Sequence, residues 1–184
     1  SISGQGNVEA LRDGYDRPIG ENEHAWKGAL GEGVQFELPS PRTIGGLRIV
    51  FDSDLNQHKR MPCRVPLKGN LCQVPASMVR RYRIEARNED GSWTTIFRDE
   101  QNYQRLVRVP LNVRTSALRL VPEETWGASE ARIFSIDLLE QAPTPVSRVP
   151  EGERWPEVVA RIPAADLAAP ESGLEATEGR RVGA

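Results

Sequence analysis

Apolar side chains recur at every second position in one short run after another along most of this chain. Val34, Phe36 and Leu38 alternate with Gln35 and Glu37. Leu47, Ile49 and Phe51 are spaced by Arg48 and Val50, and Tyr82, Ile84 and Ala86 by Arg83 and Glu85. Val107 and Val109 flank Arg108, Leu118 and Leu120 flank Arg119, and Phe134, Ile136 and Leu138 alternate with Ser135 and Asp137. A two-residue period puts all the apolar members of a run on one face of a strand and the polar members on the other. Strands with one buried and one wet face belong to antiparallel sheets. Asp90-Gly91, between the run at 82–88 and another at 93–98, is a hairpin signal, because both residues tolerate positive φ. Pro39 and Pro41 are expected to close one strand and Pro110 another. No long stretch of helical period interrupts the series. The predicted fold class is all-β: an antiparallel, jelly-roll-like β-sandwich.

The sandwich is placed at residues 1–140. From Gln141 the chain turns into a Pro/Ala/Glu-rich segment, residues 141–184, with Pro143, Pro145, Pro150, Pro156, Pro163 and Pro170. That composition reads as a linker or irregular tail, in which Trp155, Val158, Val159 and Ile162 are the residues suited to docking on the sandwich. Residues 52–79 break the strand rhythm with Pro62, Pro66, Gly69 and Pro75, and read as a long insertion with a short helical turn at 76–79. Cys63 and Cys72 flank the loop containing Pro66 and Gly69. They form either a disulfide or two free thiols, and with His58 they fall short of a closed tetrahedral metal set.

A chain of 184 residues suffices for one well-buried core. The net charge of -2 and the isoelectric point near 5.8 provide no basic field for nucleic acid. Lys27, Lys59 and Lys68 are the only lysines, so the positive charge is nearly all arginine. No apolar run approaches the roughly 20 residues that cross a bilayer. The chain starts Ser1-Ile2-Ser3, which reads as a fragment or processed product and leaves localisation open.

Three stretches together resemble the galactose-binding-like β-sandwich superfamily, which includes discoidin and coagulation-factor C-type domains. They are Leu11-Arg12-Asp13-Gly14-Tyr15-Asp16 with Ala25-Trp26-Lys27-Gly28; Val34-Gln35-Phe36-Glu37-Leu38 with Ile44-Gly45-Gly46-Leu47-Arg48-Ile49; and Leu118-Arg119-Leu120-Val121-Pro122 with Trp126-Gly127 and Phe134-Ser135-Ile136-Asp137-Leu138. The likeness covers roughly residues 7–140. It implies a non-catalytic accessory domain that binds carbohydrate through loops at one end of the sandwich. A narrower likeness, carried by residues 51–55 and 101–106, is to C-terminal domains of bacterial FAD-dependent oxidoreductases. It implies packing against an upstream catalytic domain. Gly4-Gln5-Gly6 lacks the third glycine and preceding strand of a dinucleotide fingerprint, and reads as flexible N-terminal sequence.

The resemblance implies a structural calcium held by Asp13 and Asp16, with Ser135 and Asp137 where the superfamily often has a glutamate. Calcium needs six to eight hard oxygens. The plain alternative is an Asx turn at Asp13-Gly14. No other cofactor is implied. The candidate ligand-binding residues are Tyr15, His24, Arg105 and Trp126, with aromatic faces to cover a pyranose and Arg or His to bond its hydroxyls. Trp26 and Trp93 are expected in or against the core. For catalysis no coherent set exists. Asp52 with Asp54, and Glu123 with Glu124, read as solvated charge pairs, and nothing places His58 beside a cysteine.

Overall fold

The computed structural model describes residues 1–54 and 74–144. Along the chain come β1 (Ile2–Ser3), a 3-10 helix (Val8–Arg12), β2 (Trp26–Ala29), β3 (Val34–Phe51), β4 (Val79–Arg87), β5 (Trp93–Asp99), β6 (Leu106–Thr125) and β7 (Glu130–Leu139). Every ladder is antiparallel, in the order β2-β7-β3-β6-β4-β5, with β1 added on β3. The predicted class holds. His58, Cys63, Cys72, Trp155 and the tail from residue 145 onward lie outside the described residues.

The two long strands make the curl. Residues 34–37 of β3 pair with residues 117–120 of β6, whereas residues 44–50 pair with residues 106–113 of β6 and, from residue 46 on, with β7. β4 pairs with β5 on one side and, on the other, with the second half of β6 alone. One layer is therefore β2, β7 and the second half of β3 with the first half of β6. The other is β1 and the first half of β3 with the second half of β6, β4 and β5. Leu47, Ile49, Phe51, Val107, Val109, Ala131, Ile133 and Ile136 from the first layer share one core with Val34, Phe36, Tyr82, Ile84, Leu118 and Leu120 from the second. Burying each such large side chain stabilises by about 1.5–3 kcal/mol.

The prolines do not end strands. Pro39 and Pro41 lie inside β3, in the register shift between Glu37 and Arg42, where the ladder makes no demand on their missing N–H groups. Pro110 lies inside β6, opposite Gly46, on the half of β6 that no further strand covers. A proline can occupy an open edge.

A second departure lies in β7. Phe51 pairs with Ile133 and Val50 with Ser135, so Phe134 is an extra residue in the ladder. This bulge switches the alternation. Ile133 and Ile136 both face the core, while Phe134 packs on the outer face with Ala25 and Val50. Ser135 and Asp137 are thereby left on the outer face beside Arg48.

Trp93 also departs from expectation. It pairs with Arg87, on the face carrying Arg83 and Glu85, and Arg119 lies 4.5 Å over its ring, so it stands in an outer-face charge ladder. Burial pushes the Glu85 carboxyl up, but hydrogen bonds and charge from Arg83 and Arg119 outweigh that and hold its pKa below the ordinary value. The hairpin at 88–92 forms as read: Gly91 has φ +84°, Asp90 accepts from the Ser92 amide at 2.9 Å, and the Asn88 amide donates to Ser92 O at 2.8 Å. Residues 75–78 form a turn closed by Met78 N–H to Pro75 O at 3.0 Å, and Val79 already begins β4, in place of the helical turn expected at 76–79.

The N-terminal segment is docked rather than loose. β1 pairs with β3, and the Trp26 indole N–H donates to Gln5 O at 2.6 Å. Gly6 has φ +73°, and a Cβ there would stand 2.7 Å from Lys27 O. Among the described residues no helix is long and apolar enough to cross a membrane.

Candidate functional site

Three loops meet at one end of the sandwich: residues 13–25 before β2, residues 100–105 between β5 and β6, and residues 126–129 between β6 and β7. The middle loop is the junction. Its Asn102 is fully buried; its amide donates to Val79 O at 2.8 Å and Gln104 O at 3.1 Å, while its Oδ1 accepts from Gln104 N–H at 3.0 Å. On one flank, Trp126 Nε1–H donates to Asn102 O at 2.7 Å. On the other, the Arg105 guanidinium donates to Asp16 O, and Arg105 O accepts from Phe51 N–H at 2.8 Å. Three residues of chain, at most about 10 Å of extended backbone, link the two flanking contacts.

Asn102→Ala is expected to leave the Gln104 amide and the Val79 carbonyl without their partner in a dry setting. Unsatisfied buried groups cost about 1–3 kcal/mol each, so a fall in melting temperature of roughly 5 °C or more is expected in a thermal melt.

On the 13–25 flank, Asp13 performs the turn role: its Oδ1 accepts from Tyr15 N–H at 2.9 Å. Its Oδ2 lies 2.7 Å from His24 Nδ1. A carboxylate can only accept, so the shared proton belongs to Nδ1 and the imidazole is held in one orientation. His24 has φ +48°, an uncommon conformation for a non-glycine residue. Its ring lies 4.1 Å from that of Tyr15, centroid to centroid, tilted by 40°. Tyr15 itself is 44% exposed.

On the 126–129 flank, the Trp126 indole is fixed at its nitrogen while 37% of the residue remains exposed. The Arg80 guanidinium lies 5.0 Å from the ring centroid. Arg80 also donates to Gln101 Oε1 at 3.3 Å and Glu124 Oε1 at 3.1 Å. The result is a fixed aromatic surface beside a set of polar groups. Arg80 did not stand out in the sequence, and nothing there marks Gln101 or Glu124 as a ligand-binding residue, because the β4–β6 register and the 100–105 loop bring them to Trp126 only in the fold.

Tyr15, His24 and Trp126 thus lie on loops joined through residues 100–105. Arg105 has an inward role: besides bonding Asp16 O, its guanidinium lies 5.9 Å from the Phe134 ring centroid. Through these contacts it positions the loop.

Asp16 is separated in function from Asp13. Its carboxylate is bound by the Arg48 guanidinium and accepts from Ser135 Oγ at 3.0 Å, while Arg48 also donates to Asp137 Oδ2 at 2.8 Å and to Ser135 Oγ at 2.9 Å. Burial pushes the Asp16 carboxyl up, but hydrogen bonds from Arg48 and Ser135 and the charges of Arg48 and Arg105 outweigh it, so its pKa falls below the ordinary value. The donor set does not suit calcium, because a permanent cation sits between Asp16 and Asp137, and Asp13 is turned to His24. Among the described residues no group of three or more His, Cys, Asp and Glu converges as a metal set.

A pH dependence follows. A carboxyl whose folded pKa is depressed adds stability above its unfolded pKa of about 4 and loses it as pH falls through the folded value. Arg48 has a raised pKa, chiefly through Asp16, and stays charged throughout. Wild type is therefore expected to melt above Asp16→Asn at neutral pH, and the two melting temperatures should converge as the pH falls below about 4.

The carboxylate pairs weighed for catalysis are engaged elsewhere. Asp52 Oδ1 accepts from Asp54 N–H at 2.8 Å, and Arg132 lies 3.5 Å from its other oxygen. Glu123 and Glu124 are gripped by Arg80, Arg81, Arg83 and Arg98.

No protein-family model matches the chain, and no curated protein matches it. Solved structures do. The family 32 carbohydrate-binding module of Streptococcus pneumoniae EndoD matches at 13% identity and a TM-score of 0.56, over 76% of this chain and 96% of that one. The fold is that of these modules. GH31 CBM32-2, solved bound to GalNAc, matches at 12% identity and a TM-score of 0.56, over 77% of this chain and 97% of that one. The chitosan-binding module 1 of a chitosanase/glucanase from Paenibacillus sp. IK-5 matches at 11% identity and a TM-score of 0.52, over 75% and 92%. The likeness to a galactose-binding-like sandwich therefore stands at the level of fold. The likeness to FAD-dependent oxidoreductase domains receives no support from these structures.

Proposed function

We propose that this domain is a non-catalytic accessory module that binds carbohydrate at the loop end carrying Tyr15, His24 and Trp126. One observation carries the reading. The exposed large hydrophobic residues among the described ones are Tyr15, Ile19, Tyr103, Leu106 and Trp126, and all five lie on or beside the three joined loops. Apolar side chains gathered on or beside joined loops, where no other large apolar side chain of the described residues is exposed, indicate a contact surface. Its chemistry suits a sugar. Trp126 and Tyr15 offer ring faces for the C–H face of a pyranose, and Gln101, Glu124, Arg80 and His24 offer donors and acceptors for hydroxyls.

Fold likeness to modules solved with GalNAc or named for chitosan supports the class of ligand but does not choose the sugar. A rival hollow of about 400 Å³ lies beside β2, lined by Gln5, Lys27, Glu32, Ser129 and Glu130 among others. None of the five exposed apolar residues lines it, so a sugar there would lack a stacking surface. A glycan array probed with the wild-type domain tests the proposal. Retention of at least one glycan family is the expected result, and a blank array with folded protein would count against it.

A further inference from the structure

We infer that Arg48 is a built-in cation that fastens the 13–25 loop to the outer face of the sandwich, so that the order of this loop is independent of divalent metal. The superfamily resemblance leads one to expect a calcium at the Asp13–Asp16 segment; the residues present describe a different solution.

Three groups from two other parts of the chain meet at the Arg48 guanidinium. Asp16 comes from the loop, Ser135 and Asp137 from β7, and Arg48 itself from the last stretch of β3, three residues before its end at Phe51. The meeting depends on the register. Arg48 pairs with Asp137 across the β3–β7 ladder, and the bulge at Phe134 leaves Ser135 opposite Val50 on the same outer face. Asp16 then closes the set from above: one oxygen accepts from Ser135 Oγ at 3.0 Å, and the other is bound by Arg48. Arg105 holds the same residue by its backbone carbonyl.

Physical chemistry explains why a guanidinium serves here. Two carboxylates, Asp16 and Asp137, approach one another on a half-buried face and need a positive charge between them. Calcium would supply that charge with six to eight oxygens around it. A planar guanidinium supplies it with a fixed fork of N–H donors, never loses its proton, and is covalently part of the sheet. With Arg48 in place, a dication brought to Asp16 would be repelled by the guanidinium and would also have to displace its hydrogen bonds. Asp13 is turned away from this cluster, with one oxygen on the Tyr15 amide and the other on His24.

The same contacts make Arg48 a positioning residue for Tyr15 and His24, which stand on the loop that Asp16 anchors. The inference concerns how that loop is fastened and stands apart from the carbohydrate reading. Its test uses stability alone, so its failure and the failure of sugar binding are distinguishable.

The test is a set of thermal melts on wild type, Arg48→Met, Asp16→Asn and the double variant, each in excess calcium and in excess EGTA. Wild type is expected to melt within about 1 °C in the two buffers, because a cation that binds only the folded state must raise the melting temperature. In EGTA, Arg48→Met should melt several degrees lower than wild type. Adding Asp16→Asn to Arg48→Met should cost less than Asp16→Asn does in the wild-type background, since the partner charge has already gone. A rise of several degrees in wild type on adding calcium would overturn the inference. So would an Arg48→Met protein as stable as wild type in EGTA, or strict additivity of the two substitutions.

Discussion

Trp126→Ala is expected to weaken binding of any glycan retained by the domain roughly thirtyfold, or about 2 kcal/mol, the size typical of removing a central aromatic anchor. The expectation follows from how the ring is held. The indole N–H is fixed on Asn102 O and Arg80 lies over the ring, so this contact surface is set before a ligand arrives. Preorganised surfaces lose little entropy on binding. The substitution also removes one hydrogen bond between two loops, worth about 1 kcal/mol, so the melting temperature should fall only by roughly 2–4 °C. Titration calorimetry with an array-positive glycan, alongside a thermal melt, separates the two effects. Unchanged affinity would place the binding surface elsewhere. Collapse of the melt would mean that Trp126 serves mainly to close the sandwich.

Trp26→Ala should have the largest effect on stability, a loss of about 3–5 kcal/mol. Trp26 is fully buried, begins β2 and pairs with Ile133 of β7. Its indole N–H holds Gln5 O, and Gly28 lies so close to the ring that a Cβ there would stand 2.2 Å from Cζ2. Truncation would leave a large cavity and release the N-terminal segment together. Chemical denaturation should show the loss as a lower midpoint, and a midpoint close to wild type would contradict the packing described for β1 and β2.

The contrast between these two tryptophans shows what the sequence carried. The two-residue alternation gave the strands, because burial on one face is a local property of each run. It placed Leu47, Ile49, Tyr82, Ile84, Val107 and Leu118 in the core, where they are. The superfamily resemblance, not the alternation, placed Trp26 there too. What the runs could not give was register, which depends on partners far away in sequence. Trp93 joined Arg119 rather than the core for that reason, and Phe134 left the core face because of a bulge that the run Arg132-Ile133-Phe134-Ser135 does not announce. The prolines misled in the same way. A missing N–H is forbidden only where a neighbouring strand asks for it, and Pro39, Pro41 and Pro110 sit where none does.

The site was legible in part. Tyr15, His24 and Trp126 were visible as aromatic and imidazole groups in loop sequence, and the loops that bear them are joined. Asp13 made the Asx-type turn, the plainer of its two readings. The roles of Asn102, Arg80 and Arg48 were not legible. Each acts across a long distance in sequence, 23 to 89 residues, on Val79 O, Glu124 or Asp137. A signal for Arg48 existed, an arginine opposed by carboxylates on the polar face of a neighbouring run, but choosing among several aspartates required the ladder.

The account turns on where a sugar would land. The most direct measurement is an amide and indole N–H NMR titration of the domain with an array-positive glycan. The account predicts shifts confined to Tyr15, His24, residues 100–105 and the Trp126 indole N–H. Shifts centred instead on Gln5, Lys27, Glu32 and Glu130 beside β2, with the Trp126 indole unmoved, would contradict it.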